Sequence, residues 1–291
     1  LRASAGPTGA VPRWASALLS AHRALELAHA QRVAATLEVL RMAVPAASRA
    51  PLTDAIFARQ RTYAPGGQRF AEALHDWEQS ALEHPAWPRV GRVFVGGAGG
   101  GRELAALAAR GYEVSAFEPS GLADDLARAA AAAPTPCDAL RGDYADLVRA
   151  LTRGDGPLRP FGAPARFDAV VLGWASLSHV LDPADRRALL GALRRAHPAA
   201  PVLLSVHRRH EGPSPPAAVR AVRRVARALG WPGASLPEPV AFTPFTGFIY
   251  RFTEAELGAL AGEAGYAASV RMTPYAHALL VPDGAPPMAI G

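Results

Sequence analysis

A single cysteine, Cys137, stands in 291 residues. One thiol excludes an intramolecular disulfide, a dithiol redox pair and any thiolate metal cage built within one chain. Long apolar runs are also missing: no stretch of eighteen or more such residues offers a membrane span. The opening segment, LRASAGPTGAVPRWASALLS, lacks a continuous apolar stretch ahead of a cleavage site. These absences lead to the expectation of a soluble, cytoplasmic protein with no membrane partner. What is present is a chain that is 50% hydrophobic, long enough for one large domain or for a core domain with an appended unit.

The formal net charge is +6. Arginine dominates the basic residues, and it is scattered along helices and loops rather than gathered into a basic run with interleaved aromatics. A solvated surface accounts for it better than a nucleic-acid interface, with a mild attraction to anionic partners.

Two styles of patterning divide the chain. Trp14, Leu18, Ala21, Leu25 and Ala28, followed by Val33, Leu37 and Leu40, form the stripe of a long helix, which Pro45 and Pro51 are expected to end. Phe70, Leu74, Trp77 and Ala81 make a second stripe, with the loop RTYAPGG between the two. Residues 1–87 therefore read as an N-terminal helical cap without strands. From residue 88 to 291 strands alternate with helices: Val93 to Val95, Tyr112 to Phe117, a short strand at Ala139–Leu140, FDAVVLGW and PVLLSV. Asp182 with Pro183 starts one helix, and Thr253 with Glu256 forms the capping box of the last. An insertion at about 207–250 carries a basic helix and the aromatic segment VAFTPFTGFIYRF, and two closing strands follow. The fold class is α/β, a mostly parallel sheet with helices on both faces and an antiparallel closing strand.

The stretch RVFVGGAGGGRELAALAARGYEVSAFEPS, Arg92 to Ser120, joins a buried strand, a glycine turn, a helix and a second strand ending in an acid. Glycines there let a ligand approach the backbone, and the helix offers free N–H groups. A dinucleotide fingerprint needs glycines at i, i+2 and i+5. Gly97 and Gly99 satisfy the first two, but Arg102 takes the third; counted from Gly99 and Gly101 the third is Leu104, and counted from Gly96 the second is Ala98. A nicotinamide-dependent oxidoreductase is disfavoured accordingly.

The G-x-G-x-G of Gly97, Gly99 and Gly101, with Glu118 ending the next strand, resembles the cofactor site of class I S-adenosylmethionine-dependent methyltransferases. The resemblance spans roughly Arg92 to Pro282 and implies a Rossmann-like methyltransferase sheet with S-adenosyl-L-methionine as cofactor. It implies that the turn, including Ala98, passes under the amino-acid part and ribose, and that Glu118, with Pro119 beside it, binds the ribose hydroxyls. A carboxylate suits a vicinal diol because it accepts two hydrogen bonds. Asp143 matches the acid that meets the adenine amino group, with Tyr144 offering its ring to the base; Asp143 is equally a helix cap. Gly173 and Trp174 would border the cofactor. Many members carry an acid where this chain has Gly96. No N/D-P-P-Y follows the fourth strand, and no acid ends it, so no metal site is expected.

Methyl transfer is an in-line displacement helped by alignment, exclusion of water and removal of a proton from the acceptor. His179, His207 and His210 follow the fourth and fifth strands at the edge where ligands bind; His179 and His207 are the candidate catalytic residues. Tyr63 is the candidate from the cap, on the resemblance to enzymes that present a tyrosine to the cofactor carboxylate. Phe242, Phe245, Phe248 and Tyr250 either line an acceptor pocket or form a packed hairpin. The leading reading is metal-independent methyl transfer to an O, N or C atom of a small-molecule acceptor, a specialised metabolite in biosynthesis. The alternatives are a catalytically silent scaffold that kept the cofactor fold and a nucleic-acid methyltransferase. The oligomeric state is open, a homodimer included.

Overall fold

The computed structural model describes residues 12–162, 165–209 and 215–284. His210 lies outside the described residues. The chain opens with α1 (Arg13–Ala43), α2 (Ala46–Ala58), a 3-10 turn (Arg61–Tyr63), α3 (Gln68–Ala71) and α4 (Asp76–Leu82). Strands and helices then alternate through β1 (Arg92–Gly96), α5 (Arg102–Ala108), β2 (Glu113–Glu118), α6 (Ala123–Ala131), β3 (Cys137–Arg141), α7 (Tyr144–Arg153), β4 (Ala169–Leu172), α8 (Pro183–Ala196) and β5 (Val202–Ser205). The last part holds β6 (His207–Arg208), α9 (Ala217–Ala228), β7 (Val240–Thr243), β8 (Gly247–Phe252), α10 (Glu254–Glu263), β9 (Tyr266–Arg271) and β10 (His277–Pro282). Among the described residues, no helix is long and apolar enough to cross a membrane.

Two compact units divide the chain, and they do not follow a boundary at residue 87. One comprises residues 1–44 with 212–235; the other comprises 45–211 with 236–291. Within the first, α9 packs on α1, and the Glu38 carboxylate accepts hydrogen bonds from Arg41 at 2.7 Å and Arg223 at 2.8 Å. Residues 45–87, expected in the cap, belong instead with the sheet.

In the second unit the main sheet runs β3-β2-β1-β4-β5-β10-β9. All neighbours are parallel except β10, which is antiparallel to both β5 and β9. Alternation along each strand feeds two cores, as a pleated strand buried on both faces requires. Phe94, Phe117, Val170 and Leu204 face α7, α8 and α10, while Val93, Val95, Val114 and Leu203 face α4, α5 and α6. This is the Rossmann-like, mostly parallel arrangement with helices on both faces that the sequence pattern implies. A second sheet, β6-β8-β7, stands beside it.

Two local expectations are corrected. Pro45 ends α1, but Pro51 lies inside α2, in a helix that restarts at Ala46. The stripe Phe70 to Ala81 is broken into α3 and α4 by Ala73, whose φ is +52°; its carbonyl accepts from the Arg102 guanidinium, and His75 with Glu78 caps α4 anew. The side chains of Leu74, Trp77 and Ala81 still reach one core. The short third strand expected to include Ala139 and Leu140 is present and spans Cys137–Arg141. Cys137 is a free thiol.

Candidate functional site

The carboxyl ends of β1 to β5 and the connection between β9 and β10 open onto one cavity of about 930 Å³. Ligands in open α/β sheets bind at this edge, and the volume lies at the upper end of the range for small-molecule sites.

Its floor is the glycine turn. Gly97 and Gly99 have φ of +66° and +55°, left-handed values that favour glycine, and a Cβ on Gly99 would meet nothing within 4 Å. Gly100 is needed for a different reason, because its Cβ would come 2.2 Å from the Tyr63 carbonyl oxygen. The 3-10 turn thus lies directly on the glycines. Tyr63 borders the cavity, and its hydroxyl has no hydrogen-bond partner among the described residues. Burial raises its pKa above the usual phenol range, so it stays a neutral donor.

Glu118, at the end of β2, is 6% exposed. Its Oε2 accepts the Gly99 N–H at 2.8 Å, and its Oε1 accepts the Ser120 N–H at 3.1 Å and the Ser120 hydroxyl at 2.5 Å. Desolvation raises its pKa, against those hydrogen bonds, and the nearby Asp54 carboxylate adds to the rise. A carboxylate offers about four lone-pair directions, so these contacts leave it close to one acceptor site for a ligand.

Asp54 was not singled out from the sequence. It sits on α2, lines the cavity, and has no hydrogen-bond or ion-pair partner among the described residues. Burial first, then the charge of Asp143, raises its pKa. Asp143 borders the cavity as the N-cap of α7, accepting the Asp146 N–H at 2.8 Å. Tyr144 turns its hydroxyl inward, where it donates to the Gly96 carbonyl at 3.0 Å and meets the Ser176 hydroxyl at 2.5 Å. Its ring meets Phe117 edge-on at 5.2 Å. That placement accounts for glycine at 96, since a Cβ there would lie 3.0 Å from the Tyr144 ring.

A buried ion network flanks the turn. Arg102 donates to both oxygens of Glu78, at 2.6 and 2.7 Å, and to Glu103 at 2.7 Å. Desolvation works against its charge, but the two carboxylates outweigh it and raise its pKa. Glu103 also accepts the Trp174 N–H at 3.3 Å. The Trp174 indole lies between His75, edge-on at 4.7 Å, and the Arg69 guanidinium at 5.1 Å. Gly173 and Gly101 do not wall the cavity. Gly173 permits the close approach of β4 to the turn, its Cβ falling 2.4 Å from the Gly97 carbonyl, and Gly101 makes room for Ala129.

The far end of the cavity holds both candidate bases. His179 Nδ1 lies 3.0 Å from the Phe248 carbonyl. A carbonyl only accepts, so Nδ1 carries the proton and Nε2 keeps its lone pair. Burial lowers the pKa of His179 and brings that of His207 to about 4, with His179 and Arg251 contributing. Phe57 from α2 stands between Tyr63 at 6.1 Å and His179 at 5.3 Å. Of the aromatics in the insertion, only Phe248 lines the cavity. The segment is a hairpin, with Phe242 packed on Phe248, Phe245 exposed at its turn and Tyr250 bonded to Glu256.

Tyr63, Gly97, Ala98, Gly99, Glu118 and Pro119 therefore share one cavity with Asp143, Tyr144, Trp174, His179 and His207. Asp54, Phe57, Gly100 and Glu103 join them without a sequence motif to announce them; an acid in the turn after a glycine loop was the one available signal, for Glu103.

No family model matches the chain, and no curated protein matches it. Solved structures do. The PH0226 protein from Pyrococcus horikoshii OT3 is 14% identical with a TM-score of 0.51, covering 77% of this chain and 96% of that one. A SAM-dependent methyltransferase from Methanosarcina mazei is 18% identical with a TM-score of 0.46, covering 72% and 96%. SAM-bound CalS10, an amino pentose methyltransferase from Micromonospora echinaspora, is 16% identical with a TM-score of 0.43, covering 74% and 94%. Likeness at such identities is one of architecture, and the match to PH0226, with the strand order above, shows a shared Rossmann-like, mostly parallel α/β fold.

Proposed function

We propose that the chain binds S-adenosylmethionine on its glycine turn and transfers the methyl group to an oxygen or nitrogen of a small-molecule acceptor. The observation that carries this reading is the sharing of one cavity by the glycine turn, the buried Glu118 and a neutral His179 with its tautomer fixed. S-adenosylmethionine brings hydroxyls, an amino group and a sulfonium charge, and so suits a wall rich in carboxylates. A pyrophosphate would meet Glu103 and Glu118 as like charges.

The donor set fits the cofactor. Glu118 would accept one ribose hydroxyl with its remaining lone pair, and Asp54, which lines the same cavity, would take the other. Asp143 retains an acceptor oxygen for the adenine amino group, and the Tyr63 hydroxyl would donate to the cofactor carboxylate. When bound, the cofactor supplies an electrophilic methyl group on sulfur. The chain aligns the acceptor against it and excludes water beneath α2. His179 Nε2 would accept the proton that the acceptor O–H or N–H gives up, with His207 beside it as a second neutral imidazole. Phe57, Val206 and Phe248 favour an acceptor with an apolar body.

Isothermal titration with S-adenosylmethionine, S-adenosylhomocysteine and NADH, on the protein and on Glu118→Ala, tests the cofactor assignment. Micromolar binding of the first two, lost in the variant, is expected. Binding of NADH alone would sink it. An acceptor screen against small hydroxylated and amino compounds follows, and absence of turnover with bound cofactor would favour the silent scaffold.

A further inference from the structure

Among the described residues, the stripe Trp14, Leu18, Ala21, Leu25 and Ala28 finds nothing that buries it. From Arg13 to Ala30 every residue of α1 except Ala15 is exposed, and Trp14, Leu18 and Leu25 stand 68%, 62% and 71% exposed. Isolated helices of about 12–15 residues are marginal in water, and surface helices are held by burying their apolar face. A helical segment of this length with its large apolar side chains in solvent therefore lacks its stabilising contact.

We propose that this half of α1 is a self-association element, through which two copies of the chain pair antiparallel about a two-fold axis. Spacings of four, three, four and three make the seam of a two-helix coil, with Leu19 and Leu27 also exposed outside it. The seam alternates in size, with leucine at 18 and 25 and alanine at 21 and 28. In an antiparallel pair the two kinds of seam position face each other, so Leu18 lies opposite the second copy's position 28 and Ala21 opposite its position 25. The layers from position 18 to 28 then each hold one large and one small side chain, the interdigitation that fills a core evenly, and Trp14 lies opposite the second copy's Arg32 at either end. A parallel pair would set leucine on leucine and alanine on alanine, with voids in alternate layers. Ala17 and Ala24 flank the seam and permit close approach.

The area is sufficient. At roughly 60–120 Å² for an aliphatic side chain and about 150–250 Å² for an aromatic one, scaled by the exposed fractions above, the seam offers on the order of 300 Å² of apolar surface per copy. Interfaces are about 60% apolar, so the pair would bury roughly 1,000 Å² in all, the size at which specific interfaces begin. The seam is symmetric under the two-fold operation, as an isologous contact requires. This assignment is independent of the cofactor reading.

Light scattering on the eluting protein at tens of micromolar tests it, with twice the 30.4 kDa chain mass expected. Leu18→Glu combined with Leu25→Glu, at positions already in solvent, should give the single-chain mass with the near-ultraviolet signal of the α/β unit kept. Register is tested in a Cys137→Ser background. Leu18→Cys with Ala28→Cys should oxidise to a covalent dimer, because these positions lie about 15 Å apart along one helix, too far for a bridge within it. Each single cysteine should stay reduced. A wild-type chain of single mass would overturn the proposal, and a covalent dimer from Leu18→Cys alone would overturn the antiparallel register.

Discussion

The backbone N–H of Gly99 lies 2.8 Å from Glu118 Oε2, so the residue that bends the glycine turn also holds the acid at the end of β2. With Ser120 donating to the other oxygen, the carboxylate is fixed in place before any ligand arrives. Such preorganisation lowers the cost of binding.

Glu118→Ala should weaken S-adenosylmethionine binding about 10- to 100-fold. A hydrogen bond to a charged group contributes about 1.5–3 kcal/mol, and the turn loses the acceptor that orders Gly99. Titration calorimetry reads the affinity directly. Unchanged affinity would place the ribose elsewhere.

Asp54→Asn tests the contribution of α2 to the cavity. Asparagine keeps the shape and one acceptor oxygen but removes the charge that Asp143 and Glu118 both oppose. Affinity should fall about tenfold, the weaker loss expected of a partly exposed group. The pH dependence of binding should flatten in the acid range, where Asp54 of the unliganded protein gains a proton. Retention of the wild-type pH profile would count against direct contact.

Gly100→Ala should couple stability to binding. Its φ is not left-handed, so the cost is steric: the new methyl would come 2.2 Å from the Tyr63 carbonyl and push the 3-10 turn off the glycines. Overpacking of this kind costs about 1–3 kcal/mol. Urea denaturation should show that loss together with weaker cofactor binding, whereas Tyr63→Phe should weaken binding alone.

How far the sequence discloses this site depends on the range of the contacts. The strands β1, β2, β4 and β5 are readable because each is a short buried run bounded by turn residues. The turn and Glu118 follow from their position on those strands. The capping box of Thr253 and Glu256 is local chemistry, and it is found where its spacing places it. Asp54 and Phe57 leave no such mark. They lie in a helix whose apolar periodicity is weak, and that helix is packed on β8, where Thr53 accepts the Phe248 N–H at 3.0 Å, a contact 195 residues apart in sequence. Likewise Ala73 breaks a helical stripe because Arg102, distant in sequence, claims its carbonyl. Tyr144 shows the limit of motif reasoning: its position on the fold is readable, while the inward turn of its hydroxyl depends on Gly96 and Ser176 together.

His179→Gln should lower turnover by about 10²-fold or more while leaving cofactor affinity near the wild-type value, since proton transfer contributes roughly 10²–10⁴. Burial lowers the pKa of His179 and takes that of His207 to about 4. Both imidazoles therefore stay neutral through mildly acidic conditions. The rate should hold below pH 6.5, where an ordinary histidine would already be losing its lone pair. A rate falling with an apparent pKa of 6.5 would mean that the base is a solvated group.

Acid should unfold the protein partly through His197. This side chain is 4% exposed, its Nδ1 accepts the Phe167 N–H at 3.4 Å, and burial, helped by Arg166, lowers its pKa to about 4. The unfolded chain takes up a proton near pH 6.5 and the folded chain only near pH 4. Between those values the unfolded state binds more protons, so stability falls as pH falls. The contribution is fully present above about pH 6.5 and changes by about 1.4 kcal/mol per pH unit within the window, or about 3 kcal/mol across it. His207 adds to the same slope. Urea midpoints measured from pH 7 to pH 4 should show it, and His197→Gln, which keeps an acceptor for Phe167 but cannot be protonated, should remove about one proton from the linkage. An unchanged slope in that variant would mean that His197 titrates alike in both states, and hence that water reaches it in the folded protein.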